Sequence, residues 1–203
     1  AFLYEIFLSF NDAAESKNMD FKFLPSVASY KMFIDKGYLD KVTYNLLSNA
    51  FKYTPSGGKV TFSVTVDEAR KLLVISVADS GVGIPKEKRN ELFKRFMQSS
   101  FSGSSVGVGL HLTHELVCVH KGTIVYTENE GGGSIFTVSL PTDISVYEEK
   151  DFLIPHNVLL EEEEVHHAAV LAGEISVQEG EVELPSAPLN KRKVLIIEDD
   201  NDV

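Results

Sequence analysis

Two β-branched, alternating runs, Lys59–Val66 and Lys71–Ala78, are separated only by the polar stretch Asp67–Arg70, and segments of helical spacing lie on either side. Alternation puts apolar side chains on one face of a strand, and a short polar connection makes two such strands antiparallel neighbours. A hairpin with one apolar face must bury it, and the flanking helices are the segments at hand to cover it. The chain is thereby committed to a layer of helix on sheet.

The remaining elements follow from the same reasoning. Residues 1–18 carry Phe2, Leu3, Ile6, Phe7 and Phe10 at helical spacing. Short alternating runs at 20–24 and 28–34, parted by Pro25, predict two strands. Residues 37–53 return to helical spacing until Thr54-Pro55-Ser56-Gly57-Gly58 stops them. Lys86–Phe96 predicts a short helix behind Pro85, and residues 97–105, almost all Ser, Gly and Phe, have the composition of a loop. Val106–His120 predicts the last helix, with Gly122 as its stop. Thr123–Asn129 and Ser134–Leu140 predict a second hairpin about Gly131-Gly132-Gly133. The expected fold class is α+β, a two-layer α/β sandwich with a mixed, mostly antiparallel sheet and helices on one face.

Beyond Pro141 the patterning fades. Of the net charge of −11, almost all lies in residues 142–190, where Lys150 is the one base against 12 acids. Residues 1–141 hold 15 Lys and Arg against 14 Asp and Glu. Three regions are expected: a body at 1–141, an acidic inter-domain linker at 142–190, and the truncated start of a second domain at 191–203. Within the linker, 158–173 has helical spacing, and Glu161–Glu164 reads as a solvated run. A neutral body with no basic stripe argues against a nucleic-acid partner. No apolar run reaches the roughly 18 residues of a membrane helix, and one cysteine, Cys118, excludes an intrachain disulfide. Cys118 reads as a small buried side chain, and the chain as an excised piece of a longer protein.

Three short stretches carry chemistry. On the helix at 37–53, Asn45, Asn49 and Lys52 fall within about 60° of one another at 100° per residue. Leu39, Val42, Leu46, Leu47 and Ala50 cover the opposite side. Two amides and an ammonium in line suit a phosphate chain with Mg²⁺, since amide oxygens are hard ligands. Taken alone, this face equally fits an ordinary solvent surface. Next, Asp79-Ser80-Gly81-Val82-Gly83-Ile84-Pro85 leaves a strand. Its carboxylate can accept from an exocyclic amine such as adenine N6, and its glycines let backbone approach a flat ring. A plain glycine turn has the same spelling. Third, Gly103-Ser104-Ser105-Val106-Gly107-Val108-Gly109-Leu110 opens a helix, where free N–H groups and the helix dipole favour an anion. A flexible loop before a helix start reads alike.

In this order the three support one another. Asn45-Leu-Leu-Ser-Asn49-Ala-Phe-Lys52-Tyr53-Thr54 resembles the N box of the histidine-kinase ATP-binding domain, a member of the GHKL superfamily. Asp79–Gly83 resembles its G1 box, Leu92–Phe96 its F box, and Gly103–Leu110 its G2 box. Gly132–Pro141 is similar to its closing strand. The resemblance spans roughly residues 1–141. It implies ATP and Mg²⁺ as cofactors, with Asn49 on the metal and Asn45 and Lys52 on phosphate oxygens as the catalytic pair. Tyr53 would pack near the nucleotide, Asp79 would bind adenine N6, and Gly81 and Gly83 would shape that pocket. Residues 97–106 would form a mobile lid anchored by Phe93 and Phe96. Ser104, Gly107, Val108, Gly109 and Leu110 would close over the phosphates, and Thr137 on the closing strand would line the site. Ser105 stands where the family commonly has glycine, which bears on lid closure.

The implied activity is that of a protein-histidine kinase domain. It would donate the γ-phosphate of Mg-ATP to a histidine on an adjacent dimerisation domain, in two-component signal transduction. None of His111, His114, His120 or His166-His167 sits in a pattern resembling the acceptor box. Lys193–Asp200 looks like the opening of a response-regulator receiver, with Glu198 and Asp199 at its acidic pair. That suggests a hybrid kinase, a fragment on the cytoplasmic side of an inner-membrane sensor. Two rivals are a non-catalytic nucleotide-binding scaffold and a GHKL ATPase. The ATPases carry a glutamate base four residues before the Mg²⁺ asparagine; here that position is Asn45, which cannot take a proton.

Overall fold

A computed structural model describes residues 2–94 and 109–148, together with the backbone of 194–198. The expected stretches at 97–105 and 158–173, and most of the linker, lie outside the described residues.

The predicted N-terminal helix is two helices, α1 (Phe2–Leu8) and α2 (Asn11–Ser16). The Ser9 hydroxyl donates back to the Ile6 carbonyl at 2.7 Å at the break, as serine commonly does where it competes with a helix for backbone groups. Strands β1 (Asp20–Pro25) and β2 (Ser29–Phe33) follow, and then α3 (Lys36–Tyr53). Asp35 caps α3, its Oδ1 accepting from Gly37 N at 2.7 Å and Tyr38 N at 3.2 Å. Thr54 ends the helix in extended conformation ahead of Pro55. The first hairpin is β3 (Lys59–Asp67) with β4 (Leu72–Asp79). A four-residue helix, α4 (Lys86–Arg89), is shorter than the predicted 86–96 and continues as turns to Lys94. Helix α5 (Gly109–Val119) and the hairpin β5 (Thr123–Glu128) with β6 (Ser134–Pro141) complete the body.

Five strands form one sheet in the order β1-β3-β4-β6-β5. β1 runs parallel to β3, with α3 in the crossover between them, and every other pair is antiparallel. One face is sealed: Val60, Phe62, Val64, Leu73, Ile75, Val77, Phe136, Val138 and Leu140 are all buried. Onto it α3 brings Leu39, Val42, Leu46, Leu47 and Ala50, and α5 brings Leu116 and Val117. The two-layer α+β sandwich with a mixed sheet is the architecture observed. At the β1 edge aromatic rings fill the gap between sheet and helices, with Phe7 4.6 Å from Phe21 and Phe21 edge-on to Phe51 at 4.9 Å between centroids.

β2 stands apart from this sheet and pairs antiparallel with β7 (Val194–Glu198). Cys118 is exposed rather than buried, because Thr113, Leu116 and Val117 take the inward positions of α5. Among the described residues no helix is long and apolar enough to cross a membrane.

Candidate functional site

The site is assembled where the C-terminal half of α3, the end of β4, the β5–β6 turn and the start of α5 meet. Capping at Asp35 and the apolar stripe of α3 fix its rotation, so Asn45, Asn49 and Lys52 share the face turned from the core. Asn45 and Asn49 are half-buried and Lys52 is exposed. Asn45 is wedged against α5: its Nδ2 donates to Thr113 Oγ1 at 2.6 Å, and a Cβ on Gly109 would overlap its Oδ1. Thr113 in turn donates to the Gly109 carbonyl at 2.9 Å. The described start of α5, with Gly109 and Leu110 half-buried, therefore lies beside the asparagine face. Lys52 Nζ stands 5.4 Å from the Tyr53 ring centroid.

Asp79 is the one carboxylate buried among the described residues, 5% exposed. Alternation along β4 sends it to the helix-covered face, in line with Leu73, Ile75 and Val77. Its Oδ1 accepts from Gly81 N at 2.8 Å and Ser134 N at 3.2 Å, and the Ser134 hydroxyl bonds the same carboxylate. Burial nonetheless outweighs these donors and raises its pKa above the ordinary value of 3.8. A carboxylate this buried retains acceptor capacity for a donor arriving from a ligand.

Backbone crowds around it. A Cβ at Gly81 would lie 2.5 Å from the Tyr53 carbonyl and 2.9 Å from Asp79 Oδ1. Gly83 has φ +65°, and a Cβ there would sit 3.2 Å from the Gly133 carbonyl. Gly133 itself, φ +103°, leaves room only for hydrogen, since a Cβ would overlap the Asp79 carbonyl. These glycines let backbone from α3, β4 and the β5–β6 turn pack closely around the buried acceptor, an acceptor whose chemistry suits an amine-bearing ring. The amide face of α3 and the start of α5 fit the anionic end of the same ligand and a hard cation, through Asn49 Oδ1.

Of the residues expected in the site, Asn45, Gly109 and Leu110 come together at the α3–α5 contact, and Asp79, Gly81 and Gly83 at the end of β4, beside the Tyr53 end of α3. Phe96, Ser104, Gly107 and Val108, with Ser105 and the 97–106 stretch, lie outside the described residues. Thr137 is not brought in. It sits on the opposite side of the sheet, between buried Phe136 and Val138, with its hydroxyl 3.3 Å from Ser76 Oγ. Alternation along β6 is the reason: the residue on the Asp79 side is Ser134, three positions earlier. Thr113, Asn129, Gly133 and Ser134 escape a sequence reading because their partners are remote in the chain; the run of three glycines at 131–133 was the one local sign.

Phe93 is gripped by α5. His111 Nδ1 lies 2.9 Å from the Phe93 carbonyl, and the His114 ring stacks on Phe93 at 5.5 Å between centroids.

Comparison with known proteins gives a consistent result. The family model described as histidine kinase-, DNA gyrase B- and HSP90-like ATPase matches residues 34–144. The chain is 38% identical over 148 residues to histidine kinase P4 of Formosa agariphila, covering 69% of this chain and 11% of that protein. It is 41% identical over 112 residues to the sensor histidine kinase WalK of Bacillus subtilis, covering 53% and 18%. It thus spans less than a fifth of the length of these curated relatives. Among solved structures, a nucleotide-free catalytic domain of histidine kinase ThkA matches with a TM-score of 0.64 at 25% identity, covering 70% of this chain and 90% of that one. ThkA in complex with the response regulator TrrA matches with a TM-score of 0.60 at 23% identity, covering 70% and 40%.

Proposed function

The chain belongs to the family of histidine kinase-, DNA gyrase B- and HSP90-like ATPases, and from that membership we propose that it binds Mg-ATP and donates the γ-phosphate to a histidine on an adjacent dimerisation domain. The observation that carries this reading is Asp79, a buried carboxylate among closely packed glycines at the end of β4, beside the Tyr53 end of α3.

Each group then has a task. Asp79 accepts from the adenine amine, and Gly81 and Gly83 shape the backbone beside it. Asn45 and Lys52 hold phosphate oxygens, Tyr53 lies beside the nucleotide, and the Gly109–Leu110 start of α5 offers N–H groups to the phosphates. Bound through Asn49, Mg²⁺ supplies charge neutralisation on the transferring group. Phosphoryl transfer asks for little more than such positioning and charge stabilisation.

Transfer to histidine has more support than hydrolysis. Asn45 occupies the place of the hydrolytic base, and its amide is engaged with Thr113 at 2.6 Å. A receiver domain, of which Lys193–Asp200 would be the start, is the proposed downstream partner; the ThkA complex pairs a kinase with a response regulator in that way. We assign the domain to the cytoplasmic side of a membrane sensor, where ATP is supplied.

Calorimetric titration of this chain with ATP and with adenosine, each with and without Mg²⁺, tests the reading. Binding of ATP that strengthens with Mg²⁺, beside adenosine binding indifferent to it, is expected. ATP binding that ignores the metal, or no ATP binding, overturns it.

A further inference from the structure

The loop Ser80–Ile84 behind Asp79 is fastened at both ends to the β5–β6 hairpin. At its start, Asn129 Nδ2 donates to the Asp79 main-chain carbonyl at 2.7 Å. At its end, Arg89 Nε donates to the Ile84 carbonyl at 2.9 Å, while the same guanidinium reaches Glu128 Oε2 at 3.0 Å. The Arg89 Cζ also lies 5.5 Å from the Tyr126 ring centroid. Glu128 and Asn129 are neighbours in sequence, so one short stretch of hairpin holds both ends of the loop.

We propose that Asn129 and the Arg89–Glu128 pair are positioning residues for base recognition, an inference that rests on reading Asp79 as the adenine acceptor. Ser80 is tied to Lys59 at 3.0 Å and Val82 N to the Tyr53 carbonyl at 3.3 Å, but past the 77% exposed Val82 it is Arg89 that holds the Ile84 carbonyl. A hydrogen-bond acceptor works only when held to within about 0.5 Å and 10–20° of its productive place. Asn129 sets the backbone from which the Asp79 carboxylate projects. Arg89 sets the other end, and its planar fork can satisfy the Ile84 carbonyl and the Glu128 carboxylate together, which a lysine cannot. The pair's attraction counts for little where Glu128 is 59% exposed, so its contribution is geometric.

The test uses Asn129→Ala, the near-isosteric Asn129→Asp, which has no donor, and Arg89→Lys, each titrated with ATP, adenosine and GTP and unfolded in urea without ligand. Loss of one positioning bond should weaken ATP and adenosine equally, by about fivefold to tenfold. Preference for ATP over GTP should narrow, and Arg89→Lys should show the same losses despite keeping the charge. Wild-type adenosine affinity in the Asn129 variants and Arg89→Lys would overturn the proposal. So would losses confined to ATP, or variants that unfold without ligand, which would make these residues structural only. If adenosine bound the wild type and Asp79→Asn alike, the Asp79 assignment itself would be at fault, and both readings would fall.

Discussion

Asn45 and Thr113, far apart in the chain, share a side-chain hydrogen bond of 2.6 Å that locks α3 to α5. The bond sits where the proposed phosphate-binding groups of the two helices converge, so it sets their spacing.

Thr113→Val keeps the shape and removes the acceptor. Thr113 is 1% exposed, so the Asn45 amide would lose its partner in a place water reaches poorly. The cost should be about 1–2 kcal/mol in urea unfolding. ATP affinity should fall while adenosine affinity holds; an unchanged ATP affinity would mean that this bond does not order the phosphate end.

Asn49 lies one helical turn beyond Asn45 on the same face. Asn49→Ala should remove the Mg²⁺ dependence of ATP binding and weaken ATP more than adenosine, which has no phosphate to bridge. Equal losses for both in calorimetry would sink the assignment.

Asp79→Asn replaces an acceptor oxygen with a donor amide. Removing a charged acceptor costs on the order of 1–3 kcal/mol, so ATP should weaken by roughly tenfold to a hundredfold. Stability should move the other way with pH. Because burial raises the Asp79 pKa, the folded state holds that proton more tightly than the unfolded chain does. Its contribution is full below the ordinary value of 3.8 and is lost as pH rises through the raised value. Relative to wild type, Asp79→Asn should therefore gain stability as pH rises from the ordinary value of 3.8 through the raised one. A constant difference across that range would refute the shift.

Gly133 and Gly131 separate two costs. Both have positive φ, +103° and +84°, but a Cβ on Gly131 meets nothing within 4 Å, whereas on Gly133 it overlaps the Asp79 carbonyl. Gly131→Ala should cost only backbone strain, of order 1–3 kcal/mol. Gly133→Ala should cost more in urea unfolding and also weaken adenosine. Equal costs would show that the turn relaxes freely.

Much of this molecule was legible in its sequence, for a physical reason. Period-2 and period-3.6 patterns are local, so both hairpins and α3 emerged near their true bounds, and Asn45, Asn49 and Lys52 fell on the face turned from the core. Non-local features did not emerge. Nothing in residues 1–18 signals that Ser9 breaks the helix by bonding Ile6, and nothing in residues 28–34 signals that β2 leaves the main sheet. Thr137 was misplaced by one strand position in parity, which moves a side chain through the sheet. Ser134, Asn129 and Thr113 needed the register between strands and between helices, information that no single segment contains.

The strand order also carries a consequence for how the chain reaches this state. Within each hairpin, pairing closes over a few residues, but Asp20 finds Lys59 and Ile75 finds Val138 only after long stretches of chain are drawn together. Distant pairings cost loop entropy before they return any contact, so they are the slow ones. The β3–β4 and β5–β6 ribbons should thus register early in pulse-labelled amide exchange during refolding, and the β4–β6 seam late. Asp79 belongs to one ribbon and its Ser134 donor to the other. The proposed purine site can therefore be complete only when that seam closes, which would make nucleotide capture a clock for the last step of assembly.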